Sequence, residues 1–363
     1  MSWQAMLKNN ITKSHDLVKL LNLTEEEKIK MDEILDKYPM SITPYYLSLI
    51  DFNDPNDPIL KMCIPSIEET DLGGSFDTSG EADNTIIDGM QHKYKQTALI
   101  LSTNQCAMYC RHCFRKRLVG LTDDEIAKKF SEMTDYIKNH KEISNVLISG
   151  GDSFLNNNKK IQGYLEALCD IEHLDLIRFG TRTPVVFPSR ITDDKELQEI
   201  LKTYSKKKQI YVITQFNHPK ELTKEAIASV KCLMNLGISV KNQTVLLKGI
   251  NDNPTVLGNL LKGLTAAGIT PYYVFQCRPV TGVKNQFQLT LEEGYDIVEK
   301  AKSMQNGQGK GFKYCLSHVT GKIEIVGKTE NGEMIFKYHE AKYDKDQGRI
   351  FIKKLDKNQC WLD

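Results

Sequence analysis

The sequence has 363 residues, 26% of them charged and 40% hydrophobic, and its formal net charge is +1. A chain of this length can bury a large core, as one large domain with appendages or as two domains. Near-neutral charge excludes a broad basic field for nucleic acid and an acidic one for cations. The residues after Met1 form no continuous apolar leader, and no run approaches the length of a membrane span. Nine cysteines, an odd number scattered along the chain, point to a reducing cytoplasm in which thiols act as ligands rather than staples.

Taken in order, Thr24 opens a helix. Glu27 completes a capping box with it, and Ile29, Met31 and Ile34 follow before Tyr38-Pro39 ends the element. Ile42 to Asp51 reads as a second short helix with Pro44 in its first turn, Asp54 to Pro58 as turn chemistry, and Gly73 to Asp83 as an irregular connection. Residues 1–94 are expected to form a helical N-terminal extension.

From Thr97 the text changes to short β-rich runs alternating with helix-length segments, the pattern of βα units around a parallel sheet. The runs fall at 99–101, 145–149, 176–179, 210–213, 243–247 and 272–275. Helices are expected near 122–139, 158–172, 194–206, 219–236, 254–267 and 290–305, two of them with capping boxes at Thr122/Glu125 and Thr290/Glu293. Six strands fall short of the closed eight-stranded barrel, so residues 95–305 predict an α/β fold, an open partial (β/α)6 TIM-type barrel. Residues 306–363 begin with a flexible loop at 306–311. They continue as a hairpin, 322–326 and 333–338, which a third strand at 349–352 joins.

The loop after the first barrel strand reads Cys106-Ala107-Met108-Tyr109-Cys110-Arg111-His112-Cys113. Thiolates at offsets of four and three can converge on a soft metal centre. Three residue-level readings stand: plain buried thiols, a zinc completed by a distant ligand such as Cys277, Cys315 or His318, or an iron–sulfur cluster with one iron left open. Other notable residues end neighbouring strands, where such barrels gather their chemistry: Gly150-Gly151-Asp152, Gly180-Thr181-Arg182, Gln215 to His218, and Gln276-Cys277-Arg278.

These motifs together resemble the lysine 2,3-aminomutase family of radical S-adenosylmethionine enzymes. The likeness runs from Leu23 to about Gln305 and includes Ile42 to Asp51, Cys106 to Arg117, Ser149 to Asp152, Thr181 to Val186, Phe216 to Pro219 and Asn242 to Asn251. The resemblance implies that Cys106, Cys110 and Cys113 hold a [4Fe–4S] cluster whose fourth iron chelates S-adenosylmethionine. It also implies that Gly150, Gly151 and Asp152 approach the methionyl amino group and that Gln243 bonds the ribose. Reductive cleavage would give a 5′-deoxyadenosyl radical, with electrons from a donor such as flavodoxin or ferredoxin. Family aminomutases add pyridoxal 5′-phosphate, through which an amino acid's α-amino group moves to the β-carbon.

The sequence departs from the family pattern in four places. The glycine-run-plus-lysine motif is replaced by His318-Val319-Thr320-Gly321-Lys322, which makes Lys322 the candidate for the cofactor imine. Lys93 stands where the family has a phosphate-binding arginine, keeping the charge without the planar fork. Arg115 matches the arginine that pairs with the substrate carboxylate, but Arg278 takes the place of the aspartate that receives a lysine ε-ammonium. Opposite charge predicts opposite preference, an amino acid with a distal anion such as glutamate. The C-terminal cysteine group of some members is missing, Cys360 being alone, so no structural zinc is expected and a homodimer is the expected assembly. The alternatives are lysine 2,3-aminomutase itself, and a radical enzyme without pyridoxal phosphate acting on another amino acid or a protein lysine.

Overall fold

The structure is a computed structural model and describes residues 2–362; Met1 and Asp363, the outer bounds of the first and last expected segments, lie outside it. Its frame is one sheet of twelve strands hydrogen-bonded in sequence order. Seven are parallel: β3 (Thr97–Thr103), β4 (Asn145–Gly150), β5 (Leu176–Gly180), β6 (Gln209–Thr214), β7 (Ser239–Leu246), β8 (Thr270–Gln276) and β9 (Lys313–His318). Helices Phe130–Asn139, Asn158–Cys169, Lys195–Ser205, Lys224–Asn235, Pro254–Ala266 and Leu291–Ser303 connect them. These are the six expected βα units with one further parallel strand, and the sheet does not close, as an open partial barrel requires.

Alternation along the strands decides which face holds the core. In β4, Val146 and Ile148 are buried beneath the helices, while Leu147 and Ser149 line the concave side. Ile177, Phe179, Ile210 and Val212 continue the buried layer. Capping boxes at Thr24/Glu27 and Thr290/Glu293 start their helices. The pair Thr122/Glu125 does not: Thr122 Oγ1 bonds Asp124, Glu125 is taken by Arg117 Nε and Nη2, and the helix starts at Phe130. Segment 118–127 instead packs on β3, with Leu118 and Ile126 buried against Leu101 and Ala127 N–H donating to Leu101 O at 2.8 Å.

The flanks carry more β-structure than the sequence showed. Residues 85–94 form β1 (Thr85–Ile87) and β2 (Met90–Tyr94), β2 pairing antiparallel with β1 on one side and β3 on the other. Past β9 the tail forms the expected hairpin, β10 (Gly321–Lys328) and β11 (Met334–Ala341), with β12 (Ile350–Lys353) on β11. The turn residues Asp54 to Pro58 also start a helix, Pro58–Cys63, whose first amides bond the Asp57 carboxylate.

Candidate active site

The cysteine loop leaves the top of β3 and is stapled by the N-terminal segment. Tyr109 N–H donates to Ser41 O at 3.0 Å and Arg111 N–H to Met62 O at 2.9 Å. The Arg111 and Lys116 side chains are buried on Glu69, so they hold the loop's shape and do not face a ligand. Cys106, Cys110 and Cys113 line the mouth of a cavity of about 350 Å³. Burial, with repulsion from Cys110, pushes the Cys113 thiol up to about 11, and burial raises Cys106 further. A cationic iron centre is what stabilises such thiols as thiolates. Among the described residues no three His, Cys, Asp or Glu side chains converge on a single ion. Three thiols with no fourth protein thiol in the loop are the donor set a site-differentiated iron–sulfur cluster takes, and Arg182 Nη1 donates to Cys110 Sγ at 2.9 Å.

Gly150 and Gly151 lie directly beneath that loop. Gly151 N–H donates to Thr103 O and Asp152 N–H to Gln105 O, at 2.5 and 2.8 Å. Gly150 has φ +112°, and a Cβ there would meet Thr103 O at 2.3 Å, so the close approach itself requires glycine. The buried Asp152 carboxylate accepts from Thr181 Oγ1, Phe154 N–H and Arg182 N–H, tying the β4 loop to the β5 loop. Burial raises its pKa despite those bonds. Gln243 faces the same cavity from β7.

The lower half holds the remaining expected residues. Lys322, on β10, donates to Glu340 of β11 and lies 5.1 and 5.3 Å from the Tyr94 and Tyr273 ring centres. Burial alone would raise Glu340, but Lys322 holds it below the usual carboxylate range. Lys93 Nζ donates to Ser79 O and His318 O, at 3.1 and 2.6 Å, and burial beside Arg278 depresses it to about 7. Arg278 stacks 4.1 Å over Phe114 and donates from Nη2 to Ser317 Oγ at 2.7 Å, while its Nη1 is buried without a partner.

Arg115 also packs on Phe114, 4.6 Å from its centre, and its Nε and Nη2 both reach Glu81 Oε1, at 3.0 and 2.8 Å. Arg117 takes the other oxygen at 2.8 Å. Burial alone would raise Glu81, yet the two arginines hold it at about 2. Arg115 Nη1 has only two long contacts, 3.3 Å to Ser149 Oγ and to Gly150 O.

The eleven residues that the sequence reading assigned to the cluster, the cofactors or the substrate all line one cavity, whereas Phe216, Asn217 and His218 do not. The sequence reading missed Glu81, Arg178 and Glu340, which line it too, and gave Arg182 no role. The signals were present: Arg178 is a charge inside the apolar run Leu176-Ile177-Arg178-Phe179, and Glu340 stands opposite Lys322 across the hairpin. Of the buried side-chain atoms without partners among the described residues, Gln91 Nε2, His112 Nδ1, Arg178 Nε, Thr214 Oγ1 and Arg278 Nη1 belong to cavity-lining residues, where a polar ligand would satisfy them.

Comparison with known proteins agrees with this geometry. Residues 100–256 match the Radical SAM superfamily model. An Aquifex aeolicus protein, named provisionally as an L-lysine 2,3-aminomutase, is 40% identical over 96% of this chain and 93% of its own. L-lysine 2,3-aminomutase of Acetoanaerobium sticklandii is 38% identical over 86% of this chain and 74% of its own, and glutamate 2,3-aminomutase of Clostridioides difficile 39% over 84% and 71%. A [4Fe–4S] cluster and S-adenosylmethionine come with that superfamily. No helix among the described residues is long and apolar enough to cross a membrane. With three thiols at the mouth of an open α/β barrel and relatives matched over most of its length, the chain belongs to the lysine 2,3-aminomutase family of radical S-adenosylmethionine enzymes and is an isomerase of that class.

Proposed function

We propose that the enzyme is a 2,3-aminomutase for an amino acid with a distal carboxylate, glutamate or a close analogue, and that it uses pyridoxal 5′-phosphate held through Lys322. The observation that carries this is the charge inventory of the cavity. Every carboxylate lining it is engaged by the protein: Glu81 by Arg115 and Arg117, Asp152 by the β5 loop, Glu340 by Lys322. Three lining cations, Lys93, Arg178 and Arg278, have no ion pair among the described residues. An ε-ammonium would find no free acid and would face buried cations at a cost of several kcal/mol, while a second carboxylate would satisfy one of them.

When bound, the cluster with S-adenosylmethionine supplies hydrogen abstraction, and pyridoxal phosphate supplies transient carriage of the migrating nitrogen. The chain's own residues position the reactants. Glu81 fixes the Arg115 fork and leaves Nη1 with contacts that a substrate α-carboxylate would better. Arg115 and Arg278 both pack on the Phe114 ring, which brings together the two guanidinium groups a dicarboxylate would engage. Arg182 is anchored on Glu221 and presents its charge to Cys110. We also infer a cytoplasmic protein served by a flavodoxin or ferredoxin. Product analysis tests the substrate: the anaerobically reconstituted enzyme with S-adenosylmethionine and dithionite should convert glutamate to its 3-amino isomer and lysine poorly. Equal turnover of lysine would overturn the assignment.

A further inference from the structure

One acid of the cavity has no chemical role in the reading above. Glu340 stands directly opposite Lys322 in the pairing of β10 with β11, and the register breaks just beyond that pair: Ile323 faces Tyr338, which leaves His339 as the extra residue of a bulge. A bulge re-aims the side chains beside it. Gly321 tightens the approach, because a Cβ there would meet Glu340 O at 2.2 Å, so only glycine lets the two strands come this close. The Lys322 and Glu340 side chains both line the cavity, and Lys322 Nζ donates to the Glu340 carboxylate.

The other groups around Nζ leave Glu340 as its base. Tyr94 of β2 and Tyr273 of β8 flank the ammonium with their rings, and burial raises both phenols well above their ordinary value, so they stay protonated. Burial likewise raises Cys315 of β9 and lowers His339 of β11, whose Nε2 lies 2.8 Å from Tyr273 Oη. Lys313 of β9 and Glu324 of β10 pair with each other at 2.6 Å. Arg178 of β5 adds positive charge beside Glu340, and Lys93 of β2 adds it beside Lys322. A nitrogen with cations for neighbours keeps a proton only where an anion faces it. Among the described residues that anion is Glu340.

We propose that Glu340 is a catalytic residue, the proton-transfer partner of Lys322 in its exchange with the pyridoxal cofactor; this rests on the cofactor reading above. As Nζ joins the cofactor aldehyde, Glu340 takes one ammonium proton and frees the lone pair that forms the C–N bond. A second N–H proton passes to the carbonyl oxygen, Glu340 returns the first to that same oxygen, and the C–O bond breaks to release water. The C=N bond that results keeps the third hydrogen on its nitrogen, with the Glu340 carboxylate as counter-ion. When a substrate amine takes the carbon from Nζ, two protons move from the substrate nitrogen to Nζ, and Glu340 carries them one at a time. Lys322 leaves as an ammonium that Glu340 then holds.

Two measurements test this without radical turnover. The first follows the visible band of the lysine-bound cofactor with pH, as the difference between cluster-loaded protein with and without pyridoxal 5′-phosphate. Glu340→Gln removes the counter-ion and leaves Lys93 and Arg178 unopposed, so the midpoint at which the nitrogen loses its proton should fall by about 1–3 pH units. The second omits S-adenosylmethionine. Glutamate is added to the cofactor-loaded protein, borohydride traps the C=N bond at intervals, and mass spectrometry follows the label from Lys322 to glutamate. Glu340→Gln should slow that transfer roughly 100-fold or more. Glu340→Asp, which keeps a carboxylate one methylene further back and has the better chance of folding, should transfer at a rate between the two. Iron content and melting temperature report whether each variant is intact. A wild-type midpoint in Glu340→Gln, or a wild-type transfer rate in Glu340→Asp, overturns the role. A wild-type chain that traps no label on Lys322 overturns the cofactor reading and this role with it, an outcome distinct from the first.

Discussion

Reversing the charge at Arg278 should reverse substrate preference, and the structure sets the scale. The guanidinium lies on Phe114 with Nη1 buried and unpartnered, so an arriving carboxylate gains a charge-assisted hydrogen bond without displacing an acid. Such a bond is worth about 1.5–3 kcal/mol, or roughly 10- to 150-fold in kcat/KM. Aspartate in its place adds repulsion, about 3 kcal/mol for unit charges ~6 Å apart at an effective dielectric near 20. Arg278→Asp should therefore lower kcat/KM for glutamate about 10³- to 10⁴-fold and raise turnover of lysine, whereas Arg278→Gln loses only the first factor. The assay is chromatographic separation of α- and β-amino acids after anaerobic turnover, with 5′-deoxyadenosine measured alongside to show that the radical still forms. Wild-type enzyme that isomerises lysine and glutamate alike, with Arg278→Asp changing neither, refutes the reasoning.

Other perturbations probe the rest of the cavity. Arg182→Gln removes a cation and an N–H···S bond from Cys110, which should lower the cluster's midpoint potential by on the order of 50 mV in an EPR-monitored titration; an unchanged potential would detach Arg182 from the cluster. Lys93 is depressed to about 7 from 10.5, so between those values the unfolded chain binds more protons and this group makes stability rise with pH. An anion on Lys93 draws a proton back, so pyridoxal 5′-phosphate affinity should fall between pH 6.5 and 8.5, with a flatter profile in Lys93→Met. Glu81→Gln leaves Arg115 and Arg117 without their anion and should cost about 3–5 kcal/mol in denaturant unfolding near pH 7. Glu81 is held at about 2, so its contribution is present above pH 4.5 and lost as pH falls toward 2, and the gap between wild type and variant should close over that window.

The parallel core was legible because its two signals agree: apolar runs of strand length and amphipathic segments of helix length alternate from Thr97 onward. The flanking strands were not. β2 reads Met90-Gln91-His92-Lys93-Tyr94 and β9 reads Lys313-Tyr314-Cys315-Leu316-Ser317-His318, mixed stretches whose strand character comes from pairing with β3 and β8 rather than from local propensity. Thr122/Glu125 misled for a related reason: the local cap pattern is sound, but Arg117 outbids the helix for Glu125. At the site, the cysteines carry their chemistry in their spacing, and the cationic residues could be found one at a time. What no linear pattern carries is which charges neutralise one another. The pairing of Arg115 with Glu81 spans 34 residues and that of Lys322 with Glu340 crosses a hairpin.

That division has a consequence for how the enzyme is put together. The cluster loop and the Gly150 and Thr181 loops hang on the carboxyl ends of the parallel strands, fixed by bonds among themselves and to the N-terminal helices. Lys93, Lys322 and Glu340 ride instead on β2, β10 and β11, the antiparallel wings at the two edges of the incomplete barrel. The wings meet across the gap, where Lys93 bonds His318 O and Lys322 lies over Tyr94. An eighth βα unit would fill that gap with packed side chains. Leaving the barrel open lets two strand systems of different origin in the chain close one cavity, lined by the three cysteines above and by Lys93 and Lys322 below. Lys93, Lys322 and Glu340 thus take their positions from the wings, while Arg115 and Arg278 take theirs from the loops after β3 and β8, so a substitution on the wings is expected to disturb the proposed cofactor seat before it disturbs the three cysteines.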